Sequence, residues 1–192
     1  MALIACLLGY FKARLERAEA QRDVVARLRW MGARVIHRGD ERVLVDDPHE
    51  FGQVESMLDG RNPSCGRPEG ILAQLQARDF HDPVVAVDFH IPTVRHDAPY
   101  EDVTDSNVQV LGTLHSLRIL RMARQDVAHC GWMANLQELE ELDISRTRIG
   151  DDSVAVLSGL RKLRTLGVHP GQFSPSAIDT LRQLPNLDVW EY

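Results

Sequence analysis

Residues 114–122, 136–149, 160–168 and 184–192 read LHSLRILRM, LQELEELDISRTRI, LRKLRTLGV and LPNLDVWEY. One figure recurs four times: Leu-x-x-Leu-x-x-Leu-x-apolar, with Trp190 in the third place of the last copy. Leu120, Leu142, Leu166 and Trp190 thereby hold equivalent positions, spaced by 22, 24 and 24 residues. Self-similarity at such a period marks a solenoid, in which each unit buries its apolar face by stacking on its neighbours.

The pattern extends towards the N-terminus. Val84-Val-Ala-Val-Asp-Phe89 is rich in β-branched residues and reads as a strand. Val87-Asp88-Phe89 matches Leu120-Arg121-Met122 at an interval of 33, one period of 24 plus nine. The excess lies in residues 90–102. Val103-Thr-Asp-Ser-Asn-Val108 then resumes the pattern and matches residues 149–154 and 173–178.

Each resumption reads as the start of a short helix. Asp105 and Asp151 are expected to cap their helices, and Ser174-Pro175 is a cap followed by proline at the first helical position. Val108 with Leu111, Val154 with Leu157, and Ile178 with Leu181 then point inward. In the copy beginning at Val127, Gln125 and His129 replace the expected Thr and Asp, and the helical side is two residues shorter. Trp132 and Met133 are expected to fill that layer.

Before the repeats, MALIACLLGYF is an apolar run of eleven residues ended by Lys12. A spanning helix needs about 20, and a secretory signal would carry a basic start and a small-residue cleavage site. The run reads as the first turns of a docked helix, as the truncated end of a membrane anchor, or as a disordered tail. Its basic flank, Lys12, Arg14 and Arg17, suits anionic lipid. Phe11, Leu15, Ala18, Val25 and Leu28 then recur at helical spacing, and Gly32 is a natural stop. Arg34-Val-Ile-His37 and Arg42-Val-Leu-Val45 read as a hairpin. Three segments follow: 1–12, an apolar N-terminal stretch; 13–83, a helix and α/β cap; and 84–192, the repeats. The irregular residues 46–70 hold Asp46, Asp47, His49 and Glu50, which fit no defined metal motif.

The chain has 192 residues and a net charge of −6. Residues 1–34 carry seven Lys/Arg against three Asp/Glu, leaving about −10 on the remainder. An acidic main domain argues against nucleic acid as partner. Three separated cysteines, Cys6, Cys65 and Cys130, give neither a zinc ribbon nor a redox pair and read as small buried apolar groups. A cytoplasmic or membrane-associated location is compatible with free thiols.

The spelling Leu-x-x-Leu-x-Ile-Ser-x-Thr-x-Ile-x-Asp at 139–151 resembles the leucine-rich repeats of planctomycete bacteria, close to the cysteine-containing repeat class. The resemblance covers roughly residues 15–192. It implies an α/β leucine-rich-repeat solenoid, a short curved parallel sheet with helices on the convex side, behind an N-terminal helix–hairpin cap. It also implies a binding scaffold rather than an enzyme.

If the leucines point inward, alternation along the strands lines the concave face with Ala86, Asp88 and His90; Ile119, Arg121 and Ala123; Glu141, Asp143 and Ser145; Thr165, Gly167 and His169; and Val189 and Glu191. Arg121 should lie between Asp88 and Asp143, either as a binding stripe or as an ion ladder that holds register. Tyr100, in the 90–102 insertion, is a suitable anchor for a protein partner. The candidate contact set is therefore Asp88, His90, Tyr100, Arg121, Glu141, Asp143 and His169. His90, His96 and Asp97 are metal-ligating types without ligand spacing, so neither metal nor cofactor is expected. No nucleophile, phosphate-loop or zinc-protease motif occurs. Glu138, Glu140 and Glu141 read as an exposed acidic patch. The expectation is a non-catalytic protein-binding module; the alternative is a membrane-tethered structural or scaffold protein.

Overall fold

The structure is a computed structural model that describes residues 2–38, 82–89 and 102–192. Helix α1 spans Ala2–Trp30 and is followed by β1, Arg34–His37, and β2, Val84–Asp88. Strands β3 (Ile119–Arg121), β4 (Glu141–Asp143), β5 (Thr165–Val168) and β6 (Asp188–Glu191) continue the array. They form one sheet in the order β1-β2-β3-β4-β5-β6. β1 runs antiparallel to β2, and every later pairing is parallel.

The register follows the repeat. Val87 pairs with Leu120, Leu120 with Leu142 and Leu142 with Leu166, and all four are fully buried. Two residues on, Met122, Ile144 and Val168 repeat the same inward parity, also fully buried. The helical sides stack in step. Val108–Thr113 and Gly131–Asn135 are 3-10 segments, whereas Val154–Ser158 (α2) and Pro175–Arg182 (α3) are α-helical. A 3-10 helix rises about 2.0 Å per residue against about 1.5 Å for an α-helix. Five or six residues of the former thus span nearly the length of α3's eight, which is how the shortened Val127 copy keeps its layer. Met133 fills that layer completely, and Trp132 is half-buried with its indole N–H donating to the His129 carbonyl at 3.0 Å.

Several expectations need correction. Asp105 and Asp151 do not cap their own helices. Asp105 accepts from the Ala128 and His129 amides at 3.0 and 2.8 Å, and Asp151 from the Ser174 amide at 2.8 Å. Each carboxylate therefore ties one repeat to the next. Ser174 caps α3 as expected, accepting from the Ala177 amide at 3.3 Å with Pro175 behind it.

The last copy departs by one residue. Leu166 pairs with Val189, and Trp190 aligns with Gly167. The cause lies in the preceding turn, where Asn186 takes φ 66°. The left-handed step brings the chain into β6 one residue early. Val189 and Glu191 consequently take the inward parity, and Asp188 and Trp190 the outer one.

At the other end, Ala18, Val25 and Leu28 are buried as expected, but Phe11 is exposed. The packed face of α1 begins at Ala18, and Leu8, Tyr10 and Phe11 stand out from the domain. Gly32, at φ 79°, ends the helix as expected. Gln21 joins α1 to the sheet, donating to the Asp82 carbonyl at 3.2 Å and accepting from the Val84 amide at 3.4 Å. The described partner of β1 is β2, and the expected hairpin arm at 42–45 lies outside the described residues, as do 46–70 and Cys65. Cys130 is buried as expected, and burial pushes its thiol up, but Cys6 is exposed. Among the described residues no helix is long and apolar enough to cross a membrane.

Candidate functional site

The sheet face away from the helices is built by strand alternation. One row across it runs Ala86, Ile119, Glu141, Thr165, Asp188, and the next runs Asp88, Arg121, Asp143, Gly167, Trp190. Arg121 stands between Asp88 and Asp143 in register, as expected. It also bonds Glu141, Nε to Oε1 at 2.7 Å. The guanidinium is largely withdrawn from solvent, which alone would weaken its proton. The bond to Glu141 and the nearby Asp88 and Asp143 charges outweigh that and hold it more firmly protonated.

Asp143 is held from two sides. Its Oδ1 accepts from the Ser145 amide at 2.9 Å, and the Tyr192 hydroxyl donates to its carboxylate. The phenol lies over Gly167, where a Cβ would collide with the hydroxyl and stand 3.0 Å from Cζ. Glycine is therefore required at this point of the row for the tyrosine to reach Asp143. Partial burial and the Asp143 carboxylate keep the Tyr192 phenol protonated well above the ordinary tyrosine range. His169 sits beside it, with Nδ1 at 3.2 Å from the Tyr192 main-chain oxygen, a contact that needs the proton on Nδ1. Trp190 and Tyr192 remain 56% and 57% exposed.

Asp88, Arg121, Glu141, Asp143 and His169 thus share one face. His90 and Tyr100 lie outside the described residues. Trp190 and Tyr192 are the additions that sequence reasoning missed, because the spelling placed Trp190 in the core. Gly167 was the available signal: it stands where the other repeats carry Asp or Arg and leaves room for a ring. Ala123 and Ser145, expected on this face, are buried.

The glutamates are not an open acidic patch. Arg118 grips Glu140 in two-point fashion, Nε–Oε1 3.0 Å and Nη2–Oε2 3.1 Å, and Lys162 reaches Glu138 at 2.6 Å. With Arg121–Glu141, these pairs link successive repeats along the sheet.

The turns after β3 and β4 carry a separate feature. Arg124 and Arg146 occupy the left-handed region at φ 65° and 59°. They are equivalent positions, three residues after the Arg121–Asp143 pair. A side chain costs roughly 1 kcal/mol there. Gln172 braces this region. Its Oε1 accepts from the Arg146 and His169 amides at 3.1 and 3.0 Å, and its Nε2 donates to the Ile144 and Ile149 carbonyls at 3.0 and 2.8 Å. Among the described residues, no three His, Cys, Asp or Glu side chains gather as a metal site needs.

No family model matches the chain, and no curated protein matches it significantly. Among solved structures, it is similar to an internalin (inlF) of Listeria monocytogenes at 23% identity, over 46% of this chain and 25% of that one, with a TM-score of 0.40. It is also similar to internalin C2 of the same organism at 20% identity, over 48% of this chain and 51% of that one, with a TM-score of 0.36. A third is the LRR ectodomain of the receptor kinase SOBIR1 from Arabidopsis thaliana, at 17% identity over 58% and 70% of the two chains, with a TM-score of 0.36. The match thus spans a quarter of the first structure and about half of the second.

Proposed function

We propose that this chain is a non-catalytic protein-binding module that engages its partner through the helix-free face of a leucine-rich-repeat solenoid. The observation that carries this reading is the second row of that face. A solvent-withdrawn Arg121 held among acids is followed, across Gly167, by two large exposed aromatics. Tyr, Trp and Arg are the residues that most often dominate protein interfaces. The contact set comprises Asp88, His90, Tyr100, Arg121, Glu141, Asp143 and His169, with Trp190 and Tyr192 added. In this reading 84–192 is the binding solenoid and 13–83 its cap, and the likeness of residues 139–151 to the bacterial cysteine-containing repeats belongs to the same proposal. The test is crosslinking capture from the source cell with wild type, Arg121→Ala/Trp190→Ala and a helix-side control, Gln109→Ala. A partner kept by the control and lost by the double variant supports the assignment. Partners retained by all three reject it.

A second reading has its own observation. Leu8, Tyr10 and Phe11 are 66%, 56% and 44% exposed on α1, just ahead of Lys12, Arg14 and Arg17. This suits a structural protein held at an anionic lipid surface. Co-sedimentation with phosphatidylserine vesicles, lost in Leu8→Ser/Phe11→Ser, supports it. Equal sedimentation of the variant removes it.

A further inference from the structure

The two arginines of the strand-exit turns stand in left-handed backbone, which no other described basic residue does. Arg118, Arg121, Arg148 and Arg182 each reach a carboxylate. Among the described residues, no carboxylate lies within ion-pair distance of Arg124 or Arg146. Both are exposed, and both stand in left-handed backbone at the same place in adjacent repeats. In the next repeat Pro170 stands at the equivalent place, and the left-handed step comes one residue later, at Gly171 with φ 79°. Two arginines are thus kept where the backbone disfavours a side chain. Such outliers, when the surroundings hold them in place, point to a use for the side chain. Here the surroundings do so. The Arg124 amide donates to the Ser145 carbonyl at 2.9 Å, and the Arg146 amide to Gln172 Oε1 at 3.1 Å.

Adjacent parallel strands lie about 4.8 Å apart. Two guanidinium groups rooted at that spacing can each give a pair of N–H donors to one tetrahedral or planar oxyanion between them. Asp126, the acid nearest to Arg124 in sequence, is held by Arg148 at 2.7 Å, and Asp143, nearest to Arg146, accepts from the Ser145 amide and the Tyr192 hydroxyl. The pair therefore presents concentrated positive charge at the edge of an otherwise acidic solenoid, next to the face proposed above for partner binding.

We propose that Arg124 and Arg146 form an oxyanion clamp that takes a phosphate or carboxylate group carried on the side chain of a protein partner. The proposal rests on the reading that this side of the solenoid meets a protein. It adds the chemistry of one contact, at the strand-exit edge and away from Trp190.

The test uses the full chain labelled with nitrogen-15, following arginine Nε–Hε signals by NMR. Three probes are titrated: a glycine-flanked phosphoserine pentapeptide, the same peptide with glutamate, and inorganic phosphate. Arg161, exposed and in ordinary backbone, is the internal control. The expected result is a saturating shift at Arg124 and Arg146, but not at Arg161, with one or both peptides. Response to phosphoserine alone assigns a phosphorylated partner, and response to both assigns any acidic side chain. Arg146→Gln should weaken binding about tenfold, the scale of one lost charge-assisted contact. Arg146→Gly should do the same while keeping Tm at or above that of wild type, because glycine suits φ 59°. Response to free phosphate only, equal shifts at Arg161, or unchanged affinity in both variants overturns the proposal. If the clamp fails while partner capture still depends on Arg121 and Trp190, only this inference falls. If capture fails and the clamp binds, the open-face reading falls instead.

Discussion

Leu142 and Val189 occupy the same inward place in two layers of one solenoid, yet their surroundings differ. Leu142 has Leu120 on one side and Leu166 on the other and is fully buried. Val189 has Leu166 on one side only and is half-buried. The residues are chemically alike, and the neighbours make the difference. In a stacked array each layer's stability is its own plus that of its interfaces, so a layer flanked on both sides is worth more than one flanked once. On the outer parity of β6, Trp190 and Tyr192 are more than half exposed on the open face.

The sharpest way to break this comparison is to cut both residues to alanine. Leu142→Ala should cost ~2–5 kcal/mol, through lost transfer energy and a cavity that flanking layers cannot fill. Val189→Ala removes two methyl-sized groups that are half-buried, so it should cost about 1 kcal/mol or less. Urea denaturation reads both. Equal losses would mean that β6 is covered as well as β4, and the contrast between inner and last layers would disappear.

Gln172 tests the joint between the two regions. Its amide oxygen accepts from two amides and its two N–H protons are shared among the Ile144 and Ile149 carbonyls and the Thr147 hydroxyl at 3.2 Å, so it ties together two repeats. Gln172→Ala strands several of these groups, and each unsatisfied buried group costs about 1–3 kcal/mol where water cannot enter. The expected loss is of that order, below that of Leu142→Ala. Faster amide exchange should appear at Arg146 and His169, whose N–H groups lose their acceptor, and exchange confined to β6 would contradict this role.

How much of this was legible follows from what the spelling encodes. Leu120, Leu142 and Leu166 were readable because side-chain burial repeats with the chain's own period. The final register was not, since Trp190 fits the leucine spelling while the backbone turn at Asn186 decides which residue enters the strand first. Asp105 and Asp151 were recognisable as amide acceptors, but a linear pattern does not say whether the amide belongs to the same repeat or the next. The Asp88–Arg121–Asp143 line was predictable from strand parity alone. Gln172, Tyr192 and the left-handed arginines were not, because their roles depend on where turns cross in space.

Gly167→Ala probes the last layer with a smaller expected effect. The new methyl meets the Tyr192 hydroxyl, the far end of an exposed and movable side chain. The ring should swing away at a cost of roughly 1 kcal/mol or less. Its ionisation should then fall towards the ordinary value of about 10, since it leaves both its partial burial and the Asp143 carboxylate. Carbon-13 NMR of the tyrosine Cζ across pH reads this directly. Tyr192→Ala should abolish the cost of Gly167→Ala in a double-mutant cycle, and additive losses would place the strain elsewhere.

The weakest expected effect is on acid stability, and it belongs to the joints between successive layers. Burial alone would raise the Asp105 carboxyl, but the His129 and Ala128 amides donate to it and win, so it lies below its ordinary value. The Ser174 hydroxyl and amide lower Asp151, and the Arg118 guanidinium lowers Glu140. A carboxyl depressed in the folded state contributes fully above its unfolded pKa, near 4, and loses that contribution as pH falls through the folded value. Stability should therefore be flat from neutral pH to about 5 and decline below about 4, because the unfolded chain takes up protons first. Asp105→Asn and Glu140→Gln should each make that decline shallower, with urea midpoints nearer to wild type at pH 3 than at pH 7. An unchanged slope in both variants would mean that these joints hold the layers without help from charge, leaving the leucine contacts to account for the difference between a layer flanked twice and one flanked once.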